Sequence, residues 1–335
     1  MYQALYRKYR PQTLDDVVGQ EIIVKTLENA IKNNKLSHAY LFTGPRGTGK
    51  TSIAKILAKT VNCMDIKSYL PCEKCVSCTQ INNKQTTDII EIDAASNNGV
   101  DEIREIRSKV NLVPANSKYK VYIIDEVHML STGAFNALLK TLEEPPAHVI
   151  FILATTDPYK IPATILSRCQ RFDFKKIDTI KIKENLERIA KEEKIDINEE
   201  SLYELARLSD GGMRDAISLL DQTNSYSKTI NIDVVHEICG TISKKEIADL
   251  IIRIESQNVK YIFDKIQEMN NKGKNLAKIS EDIVLFLRDL LIIRNVPNYF
   301  IDQTDYQNIN ISEGKLLEMI DNFNSVINDM KKNNY

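Results

Sequence analysis

No apolar run in this chain reaches the ~18 residues that a membrane-spanning helix needs. The opening residues, MYQALYRKYRPQ, also lack the hydrophobic core of a signal peptide. Together these absences lead us to expect a cytoplasmic protein with no membrane partner. Charge of one sign is missing as well: 45 Lys and Arg stand against 46 Asp and Glu, for a net charge of −1. No global field therefore attracts nucleic acid, and any DNA contact must come from local patches or from the assembly of several subunits. Repeats and low-complexity tracts are absent too. What remains is a globular composition, 43% hydrophobic and 27% charged, in 335 residues. That length suggests two or three domains. In a cytoplasmic setting the six cysteines are expected to be reduced or metal-bound, not paired in disulfides.

The most informative stretch is GPRGTGKT, residues 44–51, which fits G-x-x-x-x-G-K-[ST] through Gly44, Gly49, Lys50 and Thr51. AYLFT (Ala39–Thr43) before it reads as a buried strand, and SIAKILAKTV (Ser52–Val61) after it as a helix. Strand, glycine-rich turn and helix are the context of a P-loop. Gly44, Gly47 and Gly49 let the backbone approach phosphate closely. The N–H groups of Pro45–Ser52 other than the proline, with Arg46 and Thr48 among them, line the turn and the helix N-terminus that face an anion. Lys50 would reach the β- and γ-phosphates of ATP, and Thr51 would ligate Mg²⁺.

VYIIDEVHML reads as a buried strand over Lys120–Leu130 that ends in two acids. In open α/β sheets ligands bind at the C-terminal strand ends. Asp125 would hold Mg²⁺, directly or through water, and Glu126 would polarise an attacking water. Taken alone, the pair could equally be two acids capping the next helix; following a P-loop in this order and at this distance, it favours the Mg²⁺ and water roles. His128 is read as packing or bonding locally. The next strand, His148–Thr156, ends in Thr155 and Thr156. One of these hydroxyls could reach the γ-phosphate or the water, although Thr is also an ordinary strand residue.

Further strands are expected at Thr87–Ser96 and Arg171–Phe174, and helices at Gln20–Asn34, Gly99–Pro114, Ser131–Pro146 and Ile161–Cys169. Ile23, Leu27, Ala30 and Ile31 mark the buried face of the first helix. Strands alternating with helices imply a parallel sheet covered on both faces. Past residue 177 the strands stop and helical patterns take over. They close with Thr229–Gly240 and continue as Lys244–Glu255, Val259–Asn270, Leu276–Arg294 and Ser312–Lys331. Boundaries are placed near 177 and 242, and the final MKKNNY reads as frayed.

Cys63, Cys72, Cys75 and Cys78 fall in a segment, residues 62–80, unlike its surroundings. Two Cys-x-x-Cys steps sharing Cys75, with a fourth cysteine nearby, suit a tetrahedral structural Zn²⁺ site. An iron–sulfur cluster is the alternative, although its fourth cysteine more often follows the triplet. Cys169 and Cys239 are isolated and read as buried thiols.

These motifs, together with YRKYRP, EIDAAS, LLKTLEEPP, LATTDP, ILSRCQRF and GGMRDA, closely resemble the γ/τ subunits of the bacterial DNA polymerase III clamp loader. The match runs in order over residues 1 to about 240; beyond that only helical character agrees. The resemblance implies an α/β P-loop AAA+ ATPase domain (1–177) with a zinc-binding insert at 62–80. A small helical lid (178–242) and an all-α collar (243–335) would follow. It implies a pentameric ring of clamp-loader subunits, a sliding clamp and primer–template DNA as partners, and a place in the polymerase III holoenzyme. Polymerisation itself would fall to another subunit. By the same resemblance Arg168 is an arginine finger for the neighbouring subunit's ATP, Arg214 is sensor 2 in the same chain, and Thr155 or Thr156 is sensor 1. Tyr6, Arg7, Tyr9, Arg10 and Pro11 would line the adenine pocket. Apart from the resemblance, Tyr6–Arg10 reads as a small basic–aromatic nucleic-acid patch and Arg168 as a surface cation at a helix end. The rivals are a hexameric branch-migration helicase, against which the cysteine insert and the SRC motif argue, and a non-catalytic zinc-bearing DNA-binding scaffold, against which the intact ATP-site residues argue. The collar is expected to be about four helices long, shorter than is common in the family, without the longer τ-type extension.

Overall fold

A computed structural model describes residues 3–83, 85–296, 306 and 309–333. The chain divides into two units, Met1–Lys194 with Leu205–Asp221 and Ile195–Glu204 with Gln222–Tyr335. These units do not follow the boundaries placed near 177 and 242: residues 178–242 are shared between them.

In chain order the first unit carries α1 (Leu5–Lys8), α2 (Glu21–Lys32), β1 (Ala39–Thr43), α3 (Lys50–Val61), α4 (Val76–Asn82), β2 (Ile89–Asp93), α5 (Val100–Lys109), β3 (Lys120–Asp125), α6 (Thr132–Glu143), β4 (Val149–Thr155), α7 (Ala163–Leu166), β5 (Gln170–Asp173) and α8 (Thr179–Glu193). The five strands form one parallel sheet in the order β2-β3-β4-β1-β5. β1, β3 and β4 are central and almost wholly buried, which is why they read as continuous apolar runs without alternation. Their side chains still divide by parity. Tyr40, Phe42, Val121, Ile123, Ile150 and Ile152 meet Leu27 of α2 and Ile53, Leu57 and Val61 of α3 on one face. Ala39, Leu41, Tyr122, Ile124, Phe151 and Leu153 meet Ile103 of α5 and Phe135, Leu138 and Leu142 of α6 on the other. Each large side chain buried this way contributes about 1.5–3 kcal/mol before entropy is counted.

Several ends differ from the sequence expectation for identifiable reasons. The helix after the P-loop begins at Lys50, two residues earlier than expected, because Gly49 at φ +101° closes the loop directly onto it. The strand expected to reach Leu130 stops at Asp125, since Glu126 turns the chain at φ +47°. The strand expected over Thr87–Ser96 ends at Asp93, whose carboxylate accepts from Ala95 N and Ser96 Oγ and starts a turn. Ser131 caps α6 as its sequence suggests, accepting from Ala134 N.

The second unit contains a short parallel pair, β6 (Asp196–Ile197) with β7 (Thr229–Ile230). The expectation that strands end at 177 is therefore wrong. Two-residue strands carry too little periodicity to be read from sequence. α9 (Glu199–Leu208) and α10 (Met213–Tyr226) each run across the division of the units. α11 (Ile232–Ile238), α12 (Lys244–Glu255), α13 (Val259–Asn271), α14 (Leu276–Asn295) and α15 (Glu313–Asn333) belong to the second unit. A core of Ile247, Ile251, Ile283, Leu287 and Leu316 joins α12, α14 and α15. α15 extends through Asn333, so most of MKKNNY is helical and not frayed; Asn334 and Tyr335 lie outside the described residues.

Candidate functional site

The strand register brings the polar ends together. Thr43 lies level with Thr155 on β4 and with Asp173 on β5, and Asp125 lies level with Asp93 on β2. All five residues mark the C-terminal edge of the sheet, from which the P-loop emerges after Thr43. Thr43 Oγ1 donates to the Asp173 carboxylate there.

The loop of residues 44–49 curls over that edge because glycine occupies its strained positions. A Cβ on Gly44 (φ +142°) would run into the backbone of Phe174, and one on Gly47 (φ +77°) would come within 2.9 Å of Gly212 Cα. The second contact places Arg46–Gly47 against the start of α10. Buried Gln20 braces the same loop: its Nε2 donates to Thr48 O at 3.4 Å and to Lys175 O at 2.8 Å. Thr48 Oγ1 donates to Pro45 O at 2.8 Å.

Lys50 is buried, and its ammonium donates to Gly44 O and Pro45 O, both at 2.7 Å. Burial lowers its pKa, while Glu126 and Asp125 draw it back up. Thr51 Oγ1 donates to Asp125 Oδ2 at 2.7 Å, so the P-loop hydroxyl and the strand-end acid already share one point. Hard oxygen donors of this kind suit Mg²⁺. Glu126 sits beside them. Its Oε2 accepts from Thr156 N at 3.1 Å and Thr156 Oγ1 at 3.0 Å. Thr155 is fully buried, and its hydroxyl oxygen accepts from Asp157 N at 3.0 Å. The two threonines thus have different surroundings: one faces inward, the other holds the acid.

Arg10 and Arg214 also approach this edge. Arg10 Nε donates to Ser52 Oγ at 3.1 Å. Burial lowers its pKa, and Glu91 and Asp125 oppose that shift. Arg214, the second residue of α10, lies over the Tyr6 ring at 5.0 Å. Arg7 Nε donates to Tyr6 Oη at 3.0 Å. Tyr9 turns away from the loop: its hydroxyl donates to Glu193 Oε1 at 2.5 Å, and Arg188 lies over its ring. Pro11 follows, half-buried.

Arg168 is not part of this cluster. It precedes β5, whose Gln170 is level with Tyr40 and whose Asp173 is level with Thr43. The arginine therefore lies at the N-terminal edge of the sheet, at least ~10 Å in strand rise from the edge that carries the chain's own P-loop. There its Nη2 meets Glu143 Oε1 at 2.6 Å and its Nη1 donates to Thr164 O at 2.7 Å.

The four insert cysteines converge, with all four Sγ atoms within 4.8 Å of one another. A tetrahedral ion with Zn–S bonds near 2.3 Å needs sulfurs about 3.8 Å apart, which this cluster can reach with small movements. Backbone N–H groups already point at the sulfurs: Cys72 N at Cys63 Sγ (3.2 Å), Cys75 N at Cys72 Sγ (3.2 Å) and Cys78 N at Cys75 Sγ (3.4 Å). Burial works against the Cys75 thiolate, but hydrogen bonds from Cys78 and Met64 outweigh it and bring its pKa down to about 6. Cys169 packs beside the second core face, where burial pushes its thiol up to about 11.

Sequence reasoning missed two supports of this site: Gln20 beneath the loop and Gly212 against Gly47.

A family model described as "DNA polymerase III, delta subunit" matches residues 19–178, and one for the "DNA polymerase III clamp loader subunit, ATPase lid domain" matches residues 181–229. The chain is 51% identical to a Bacillus subtilis DNA polymerase III subunit tau over its whole length and 61% of that protein's. It is 43% identical to the Escherichia coli subunit tau, over 88% of this chain and 46% of the relative. Against the subunit gamma of Buchnera aphidicola (subsp. Schizaphis graminum) it is 41% identical, over 88% of this chain and 82% of the relative. The chain thus spans about half to three-fifths of the tau subunits and most of the shorter gamma subunit. Among solved structures, a Thermotoga maritima RuvB Holliday junction branch migration motor superposes with a TM-score of 0.52 at 23% identity, over 74% of this chain and 80% of that one. That likeness shows the parallel-sheet α/β P-loop fold and nothing about substrate.

Proposed function

Because this chain belongs to the DNA polymerase III γ/τ subunit family, we propose that it is an ATP-hydrolysing motor subunit of the clamp loader, turning ATP and water into ADP and phosphate. The observation that carries the ATPase reading is the 2.7 Å bond from Thr51 Oγ1 to Asp125 Oδ2, beside buried Lys50. A loop of backbone N–H groups, one buried ammonium and two oxygen donors at one point make a phosphate and divalent-cation cradle.

On this reading Lys50 leaves the loop carbonyls for the β- and γ-phosphates. Thr51 and Asp125 hold Mg²⁺, which would neutralise charge developing on the phosphate oxygens. Glu126 polarises the water. Thr156 is the better candidate for sensor 1, because its hydroxyl already touches Glu126 whereas that of Thr155 is turned inward. Arg214 serves as sensor 2 in the same chain, supported by the close approach of Gly47 to Gly212. Arg168 serves a neighbour's ATP, supported by its position at the far edge of its own sheet. Tyr6 and Arg7 border the nucleotide with Arg10, while the bonds of Tyr9 to Glu193 suit a brace better than a base contact. The four cysteines hold one structural Zn²⁺.

The larger assignment follows the family. The chain would act within a pentameric ring of clamp-loader subunits in the cytoplasm, with residues 178–242 as lid and 243–335 as collar. ATP binding would let the ring grip and open the sliding clamp, and primer–template DNA would trigger hydrolysis and release. The test is the ATPase rate of the assembled loader with and without sliding clamp and primed DNA. Stimulation by both together is expected. A rate indifferent to both would remove the clamp-loading reading and leave only an ATPase.

A further inference from the structure

We infer that His128 is a positioning residue for Glu126, holding one carboxylate oxygen so that the other is presented to water. The inference rests on the reading of Glu126 as the group that polarises the attacking water.

Local geometry brings the imidazole there. Glu126 turns the chain at φ +47°, and a single helical turn follows at once, with Met129 N donating to Glu126 O at 2.9 Å. That turn folds His128 back over the end of β4. Its Nδ1 lies 3.0 Å from Thr155 Oγ1 and 3.3 Å from Glu126 Oε2. Both are oxygens, and one belongs to a carboxylate. A lone pair on Nδ1 would face the negative charge of the carboxylate, whereas an N–H there is attracted to both oxygens. The Nδ1–H form is therefore the one this geometry favours.

Glu126 Oε2 accepts from the Thr156 amide and the Thr156 hydroxyl, and the His128 ring, bonded to Thr155 Oγ1, stands 3.3 Å from the same oxygen as a third polar neighbour. Its Oε1 accepts from no group among the described residues, and the side chain is 32% exposed. A carboxylate saturated on one oxygen is fixed in rotation and offers the other outward. A general base must sit within hydrogen-bond reach of its proton, and small displacements are costly. His128 itself touches no substrate on this reading; it acts through Glu126.

The test compares His128→Leu, His128→Asn and His128→Asp in steady-state ATP hydrolysis by the purified protein, alone and in a Glu126→Gln background. Asn places an N–H donor where Nδ1 stands, while Asp has the same size and presents only oxygen. His128→Leu and His128→Asp should lower kcat by about tenfold or more with KM and nucleotide affinity nearly unchanged, and His128→Asn should recover most of the rate. In the Glu126→Gln background the three substitutions should make little further difference, since the group they position is gone. If His128→Asn is as slow as His128→Asp, or if the losses persist undiminished with Glu126→Gln, the inference is overturned. The Asn and Asp pair keeps the test valid if Leu prevents folding. Failure of the underlying reading looks different: Glu126→Gln alone would then turn over at the wild-type rate.

Discussion

Lys59 Nζ lies 2.5 Å from Glu73 Oε1, tying the helix that begins at Lys50 to the cysteine insert. The pair is lopsided. The Lys59 side chain is 4% exposed and that of Glu73 35%. Asn82 completes the link, accepting from Lys59 Nζ at 3.3 Å and donating to Glu73 Oε2 at 2.8 Å. The insert is thus joined to the P-loop helix by a buried charge as well as by chain connection.

That asymmetry sets the cost of breaking the pair. Glu73→Gln leaves a buried ammonium without its counter-charge and should destabilise the protein by about 3 kcal/mol. Lys59→Met removes the buried charge and leaves a glutamate that can still reach water, so it should cost about 1 kcal/mol or less. Urea unfolding midpoints of the two variants measure the difference. Equal costs, or the reverse order, would mean that Lys59 is better hydrated than its burial indicates.

Metal content is the next expectation. Purified protein should carry about one zinc per chain, because four thiolates close the coordination shell of a structural site. Chelation should unfold the insert before it weakens ATP binding, since the cysteines lie outside the P-loop. Elemental analysis finding iron, or no metal under reducing conditions, would refute the zinc assignment.

At the nucleotide site two substitutions should separate binding from chemistry. Lys50→Ala removes the ammonium that pairs with the phosphates and should weaken ATP binding by well over tenfold, above ~1.4 kcal/mol. Glu126→Gln should keep nucleotide affinity and lose turnover. Affinity within about threefold of wild type in the first variant would sink the P-loop assignment. Wild-type turnover in the second would move the task of polarising water to another residue.

The parts of this site that could be read from the sequence are those made by consecutive residues. Gly44 to Thr51 is legible because a backbone wrapped on phosphate demands glycine at fixed steps, and β1 and β3 are legible because central parallel strands are apolar throughout. The cysteine cluster is legible because its Cys-x-x-Cys steps are nearly contiguous. What stayed hidden depends on pairs far apart in the chain. Gly212 presses on Gly47, Gln20 holds Thr48 and Lys175, and Asp196–Ile197 pairs with Thr229–Ile230. No local pattern encodes those meetings. The neighbours of His128 are out of reach for a related reason: Thr155 stands 27 positions away, and the apolar run conceals the turn at Glu126.

The arginine at the far edge of the sheet gives the sharpest test of assembly. Arg168 is engaged by Glu143 and Thr164 in the single chain, at the N-terminal edge of β5, while the P-loop leaves the C-terminal edge of neighbouring β1. Arg214 stands at the chain's own P-loop, so a second arginine is free to serve a neighbour. An arginine supplied to a phosphoryl-transfer site typically contributes ~10³–10⁵ in rate by stabilising charge in the transition state. Arg168→Ala should therefore leave ATP binding by each chain nearly intact and abolish clamp- and DNA-stimulated hydrolysis in the assembled loader. Mixing this variant with Lys50→Ala is the decisive measurement. Some interfaces then join an intact Arg168, from the Lys50→Ala chain, to an intact P-loop in the Arg168→Ala chain, and hydrolysis should partly return. If the mixture stays silent, or if an isolated monomer loses its basal activity on Arg168→Ala, the arginine acts within its own chain and the ring mechanism does not apply.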